Sequence, residues 1–140
     1  MDYFVINKEY MEKNVDEFVS IIKNVPNEYW SNDHFLMDLN GKWNYSIGML
    51  NSGILVAFII ASIKEDSIHI HKFMVKEGFR SKGFGKILLD TFIETVSQSF
   101  KSITLKVYKE NSRAIEFYKS NAFLVISDNN ELVAMKRRIS

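Results

Sequence analysis

The chain has no cysteine, which excludes disulfides, thiolate metal sites and a cysteine nucleophile together. It has almost no charge imbalance either: 18 Lys and Arg stand against 17 Asp and Glu, a formal net charge of +1. A nucleic-acid or anionic-membrane binder shows a basic excess or a basic run. The nearest approach to one, Lys136-Arg137-Arg138, reads as a solvated strand end, so neither partner is expected. No apolar stretch is long enough to cross a bilayer: Ile54 to Ile63, broken only by Ser62, is too short. The opening Met1-Asp2-Tyr3-Phe4 carries neither the basic nor the apolar region of a secretory signal, and the expected compartment is the cytoplasm. Repeats, low-complexity tracts and linkers are also missing, so residues 1–140 read as a single domain.

What is present is a core. Hydrophobic residues make up 46% of the 140 positions, among them 11 Phe, 6 Tyr and 2 Trp, enough for one hydrophobic centre at this length. Phe4 to Asn7 reads as a short strand. A helix is expected from Asn14, with Val15, Phe18, Val19 and Ile22 on one face, stopping near Val25 because Pro26 cannot continue it. Tyr29 to Leu39 reads as a second helix ended by Gly41. Tyr45 to Leu50 and Ile54 to Ile63 form a hairpin around Asn51-Ser52-Gly53, the second arm apolar on both faces like a central strand. After the turn at Lys64-Glu65-Asp66, Ser67 to Val75 adds a third strand. A helix from about Gly83 to Phe100 follows, then a strand over Ser102 to Val107 and a helix over Ser112 to Ser120. Phe123 to Ile126 and Leu132 to Ile139 close the chain as a hairpin. An antiparallel meander joined to a β-α-β crossover predicts an α/β fold, with a mixed central sheet flanked by helices.

The most informative stretch is Arg80-Ser81-Lys82-Gly83-Phe84-Gly85-Lys86, between a strand end and a helix start. A helix N-terminus presents unpaired N–H groups and partial positive charge, and thus attracts phosphate. Gly83 and Gly85 let the backbone approach an anion closely, while Arg80, Lys82 and Lys86 add cations. Two commoner phosphate motifs fail: Gly78-x4-Gly83 is followed by Phe84 rather than Lys, and a dinucleotide fingerprint from Gly83 would need glycine where Leu88 stands.

These residues resemble the GNAT superfamily of acyl-CoA-dependent N-acetyltransferases. Its signature (Arg/Gln)-x-x-Gly-x-(Gly/Ala) matches Arg80-x-x-Gly83-x-Gly85, and its Val-x-Pro-x-x-Arg pattern matches Val75 and Arg80, with Glu77 where proline is usual. A second family motif finds Leu105, Val107, Asn111, Ala114, Tyr118 and Phe123, with Ala122 in place of glycine. The resemblance covers roughly Tyr45 to Ile139. It implies that acetyl-CoA is the acyl donor, with no metal involved. Its pantetheine arm would lie on the strand-end backbone of Phe73, Met74 and Val75, and its pyrophosphate on Ser81, Lys82, Gly83, Phe84, Gly85 and Lys86 beside Arg80. Coenzyme A would lie where two sheet strands splay. Asn111 would both cap its helix and contact the cofactor.

Acyl transfer to an amine raises two proton problems. An alkylamine with a pKa near ~10.4 is almost wholly protonated at neutral pH, and the departing thiolate benefits from an acid. The resemblance places Tyr118 by the sulfur as that acid. His69 and His71 alternate on one strand, so both rings are expected on the sheet face of Phe73 and Val75. A His-x-His at this place is similar to the pair in serotonin N-acetyltransferase, which makes His71, with His69 through water, the candidate base; hydrogen-bonded cleft histidines without a proton role are the competing reading. A metal site is set lower, because only His34 remains as a further imidazole and no carboxylate pattern completes a tetrahedron. Main-chain amides near Met74 are expected to polarise the carbonyl, and direct attack by the amine is expected without a covalent acyl-enzyme. Tyr29-Trp30-Ser31 and Phe35 are similar to ribosomal-protein N-terminal acetyltransferases, but Lys106 stands where those enzymes carry a catalytic glutamate. Tyr29, Trp30, His34, Trp43 and Tyr45 are candidate acceptor-site residues. The acceptor itself stays open among amino sugars, polyamines, aminoglycosides, amino acids and protein amines, as does a homodimer. The rival reading is a non-catalytic acyl-CoA-binding sensor or scaffold.

Overall fold

A computed structural model describes residues 1–140. The elements run β1 (Asp2–Val5), α1 (Lys8–Ile22), α2 (Asn32–Leu36), α3 (Lys42–Tyr45), β2 (Ile47–Asn51), β3 (Ile54–Lys64), β4 (Ser67–Val75), α4 (Phe84–Val96), β5 (Ser102–Tyr108), α5 (Ser112–Ser120), β6 (Leu124–Asp128) and β7 (Leu132–Arg138). One seven-stranded sheet has the order β1-β2-β3-β4-β5-β7-β6. All neighbours are antiparallel except β4 and β5, which α4 joins as a parallel crossover. The mixed sheet and its flanking helices are those expected from the sequence.

The sheet separates two cores. On one face Leu88, Leu89, Phe92 and Val96 of α4 and Tyr118 of α5 pack on Ile59, Ala61, Ile68, Ile70, Leu105 and Met135. On the other, Met11, Phe18, Ile21 and Ile22 of α1 and Phe35 of α2 pack on Leu55, Phe58 and Ile60. Strand β3 supplies residues to both, which is why it carries no polar alternation. No helix is long and apolar enough to cross a membrane.

Three expectations need correction. Helix α1 starts at Lys8, capped by the Asn7 side chain accepting from the Tyr10 amide at 2.8 Å. Asn14, read as its start, instead breaks the helix at φ −127°, ψ 16°, with its side-chain amide donating back to the Tyr10 carbonyl. The expected helix over Tyr29 to Leu39 shrinks to Asn32–Leu36, because Ser31 caps it with His34 closing the reciprocal bond. Tyr29 and Trp30 therefore lie in a loop before it, and a further turn, α3, follows Gly41.

The third correction concerns β4. Lys72 pairs with Ile60 and Ile70 with Ala61, which leaves His71 without an opposite residue. This bulge shifts the alternation by one. Ile68 and Ile70 face the α4 side before it, and Phe73 and Val75 face that same side after it. Contrary to simple period-two reading, His69 and His71 therefore do not share a face with Phe73 and Val75. They point to the α1 side, with Met74.

Candidate active site

Parallel pairing of β4 with β5 stops at Ile70 and Leu105. Beyond that point β4 continues to Val75 along β3 alone, and β5 continues to Tyr108 along β7 alone. The two strands thus splay in the middle of the sheet. Backbone groups that face the gap have no ladder partner and must find another. The Lys76 amide donates to Val56 at 2.7 Å, and alternation sends the Met74 amide to β3 as well, while Phe73 and Val75 face the gap. Of the main-chain amides near Met74, those of Phe73 and Val75 are therefore the ones that face the gap, while that of Met74 faces β3.

At the end of β4 the chain turns into the loop singled out above. Arg80 Nε donates to the Val75 carbonyl at 2.8 Å, bracing the loop against the strand end. From Arg80 to Lys86 no backbone amide donates to a protein acceptor; the ladder of α4 begins with Ile87 donating to Gly83. Gly83 is the N-cap at φ +85°, and no atom lies within 4 Å of where a Cβ would stand. These amides form the cradle a phosphate would occupy, so the residues present fit the pyrophosphate of coenzyme A. Arg113, from the first turn of α5, reaches Ser81 Oγ at 2.8 Å, a bridge that no periodicity in the sequence marks. Lys82 stays exposed, whereas Lys86 turns to Asp90 and Asn121. A hollow of about 370 Å³ between the end of α1 and Lys76, Gly78 and Arg80 flanks this loop, and lies apart from the histidines.

Asn111 caps α5, accepting from the Ala114 amide at 3.1 Å. Tyr118, one helix face further on, is buried and packs its ring against Phe73, Phe117 and Phe123 at 5.3–6.3 Å. Burial, and then the Glu28 carboxylate, push the Tyr118 phenol above its ordinary value, so it keeps its proton. Buried side-chain atoms without a partner are absent from the protein, and the Tyr118 hydroxyl is free of protein hydrogen bonds, available to the gap.

On the opposite face His69 and His71 meet edge to face, their ring centres 4.9 Å apart. Thr104 Oγ1 lies 2.8 Å from His69 Nδ1, and Ser62 Oγ lies 2.6 Å from His71 Nε2. Burial lowers both; His69 falls to about 4, with His71, Lys64 and Lys106 adding to the effect. For His71, Lys64 and Lys42 add to it. Both rings are thus neutral at pH 7, and His71 is the one nearer the gap.

The loop before α2 closes over these rings. Trp30 stands 6.4 Å from His71 and stacks at 5.9 Å on His34. Lys72, which follows the bulge, is buried and donates to both the main-chain oxygen and the carboxylate of Glu28, each at 3.1 Å. Lys42, wholly buried, donates to the carbonyls of Phe35 and Met37 at 2.7 and 2.6 Å and pins the end of α2. Burial lowers its ammonium to about 8, against the pull of Asp38. Of the aromatics expected here, Trp30 lies beside His71, His34 is exposed and stacks on Trp30, and Tyr29 is exposed. Trp43 packs with the α1 core and donates to Asp38. Tyr45 belongs to the other face, against Phe100 at 5.0 Å.

A sheet split at one strand pair, with a phosphate-competent loop at its mouth, defines a class, and comparison with known proteins agrees. The model of the acetyltransferase (GNAT) family matches residues 11–123. Among solved structures, the ribosomal-protein-S18-alanine N-acetyltransferase from Escherichia coli superposes with a TM-score of 0.84 at 18% identity, covering 99% of this chain and 94% of that one. Ard1 from Thermoplasma volcanium gives 0.82 at 25% identity, covering 99% and 97%. Arabidopsis thaliana Naa50, solved with the bisubstrate analogue CoA-Ac-MVNAL, gives 0.79 at 16% identity, covering 97% of each chain. The chain belongs to the GNAT acetyltransferase family, and is an N-acetyltransferase.

Proposed function

We propose that the protein moves an acetyl group from acetyl-CoA to a primary amine by direct attack in a ternary complex. The observation that carries this reading is the splay beyond Ile70 and Leu105, with His71 on one sheet face and Tyr118 on the other. Acetyl-CoA supplies the activated acyl group. The free amides of Arg80 to Lys86 hold its phosphates, and the gap-facing amides of Phe73 and Val75 take its arm and the thioester oxygen. His71, kept neutral by burial, accepts the amine proton and passes it to solvent, directly or through His69. The amide C–N bond forms as the C–S bond breaks, Tyr118, still protonated, donates to the leaving sulfur, and the phenolate then regains a proton from solvent, matching the one released there by His71. A cytoplasmic location and a single 1–140 domain complete the proposal.

An amine library offered with acetyl-CoA, read by free thiol, tests it. Thiol release that depends on an amine, with acetyl-amide recovered in equal amount, is the expected result. Release at one rate with every amine and with none would leave only hydrolysis and sink the reading.

A further inference from the structure

Beside the histidines the sheet has an uncovered face. Helices α1 and α2 cover β3 and β4 there, but β5 and β7 present Thr104 and Lys106, then Ala134, Lys136 and Arg138, to that side. The register fixes this: His69 bonds Thr104, Thr104 lies opposite Lys136, Ser102 opposite Arg138, and Lys106 opposite Ala134. Lys64, at the end of β3, acts on the same histidines. Lys64, Lys106, Lys136 and Arg138 make no ion pair. The nearby carboxylates are occupied: Glu28 by Lys72, Asp128 by Lys109, Asp66 by Lys101; Glu65 and Glu131 sit in turns at the rim. The face that leads to the base is thus a row of unneutralised cations. An amine arriving there as a polycation meets repulsion, and one accompanied by carboxylates meets attraction.

Resting on the acetyl-transfer reading, we propose that the acceptor is a polypeptide N-terminus with acidic residues at its second and third positions, their carboxylates lying on Lys106 and Lys136. Spacing supports the choice. Adjacent strands are about 4.8 Å apart and residues advance about 3.4 Å along each, so Lys106, roughly level with His71 across the splay, is rooted nearer to it than Lys136, which lies two strands away opposite Thr104. An extended peptide advances about 3.4 Å per residue, so the second and third side chains of a chain whose amine is at His71 reach those ammonium groups. A peptide with two acidic side chains offers a carboxylate to each ammonium, whereas the α-carboxylate of a free amino acid stays fixed beside its amine.

The test compares two peptides matched except for Asp-Glu or Lys-Lys at positions two and three, with free glutamate and spermidine as further acceptors. The acidic peptide should lead the basic one in kcat/KM by about tenfold or more at low salt, with the lead shrinking as salt is added. In a Lys106→Glu, Lys136→Glu variant the preference should vanish or invert while acetyl-CoA still raises the thermal midpoint. Anisotropy of the acidic peptide, labelled at its C-terminus, should show the same loss of binding without any chemistry. Equal or reversed preference in the wild type, a preference indifferent to charge reversal, or better turnover of glutamate or spermidine would overturn the proposal. If no amine is acetylated, the acetyl-transfer reading fails separately; the anisotropy titration still decides whether this face binds acidic peptide.

Discussion

Replacing Gly83 with Asn separates the cofactor cradle from the fold that carries it. The residue sits at φ +85° with open space where its Cβ would project. An ordinary L-residue there costs about 1–2 kcal/mol, but Asn visits this region readily and should cost less. The apo protein should therefore lose at most a few degrees of thermal midpoint. The wild type, at a hundredfold excess of acetyl-CoA over its Kd, should gain about 2.7 kcal/mol by mass action. For a domain of this size that is a rise of roughly 8–10 °C. In Gly83→Asn the side chain occupies the approach to the free amides, and the rise should disappear. Gly85→Ala is the matched control. A Cβ there meets Phe117 and Val75 at 3.7 Å, an ordinary contact, and helix propensity favours Ala by up to about 1 kcal/mol. That variant should be slightly more stable and keep its response to acetyl-CoA. Differential scanning fluorimetry with and without ligand reads both arms. An undiminished ligand shift in Gly83→Asn would refute the assignment of these amides to the phosphates.

Three further outcomes follow from the same geometry. Tyr118→Phe removes a hydroxyl that holds no protein partner, so stability and the acetyl-CoA shift should hold while turnover falls by roughly 10²–10⁴-fold; unchanged single-turnover rates would make Tyr118 a packing residue. His69 is held neutral down to about pH 4, whereas in the unfolded chain it protonates near ~6.5. Its contribution is present above that value and lost as pH falls through this window, so the wild type should lose more stability than His69→Gln between the two values; parallel urea-denaturation curves would contradict this. Ala122 occupies φ +68° where the family carries glycine. Ala122→Gly should relieve about 1–2 kcal/mol of strain against about 0.4–1 kcal/mol of added unfolded-state freedom, a small net gain visible in denaturant midpoints.

The parts of the fold that rest on one local signal were legible. Ser67–Val75 and Ser112–Ser120 have the expected limits because a turn or a cap bounds each. The start of α4 was legible because Gly83 stands just before its first turn. Elements set by tertiary competition were not. Asn14 looks like a cap, but its amide bonds backward within a helix that Asn7 had already begun. Trp30 stands at helical spacing from His34, yet Ser31 and His34 satisfy the helix start later. Nothing in the identity of His71 announces that it will be left unpaired, since a bulge depends on the partner strand's register. The Lys72–Glu28 and Arg113–Ser81 bridges join residues 44 and 32 positions apart, beyond the reach of any periodic pattern.

That single unpaired residue gives the site its logic. With regular alternation, His69, His71, Phe73 and Val75 would crowd one face, and the base would lie against Phe73 beside the phenol. The bulge sends the histidines to the open, cationic face while Phe73 turns back to pack on Tyr118. In the proposed reaction the amine then loses its proton on one side of the sheet, and the sulfur gains one on the other. The splay beyond Ile70 and Leu105 is the opening through which the two sides share one reacting carbon. Burial favours the uncharged form of each group, which is the protonation state the proposed roles require of the histidines and the tyrosine, while making each a weaker base or acid.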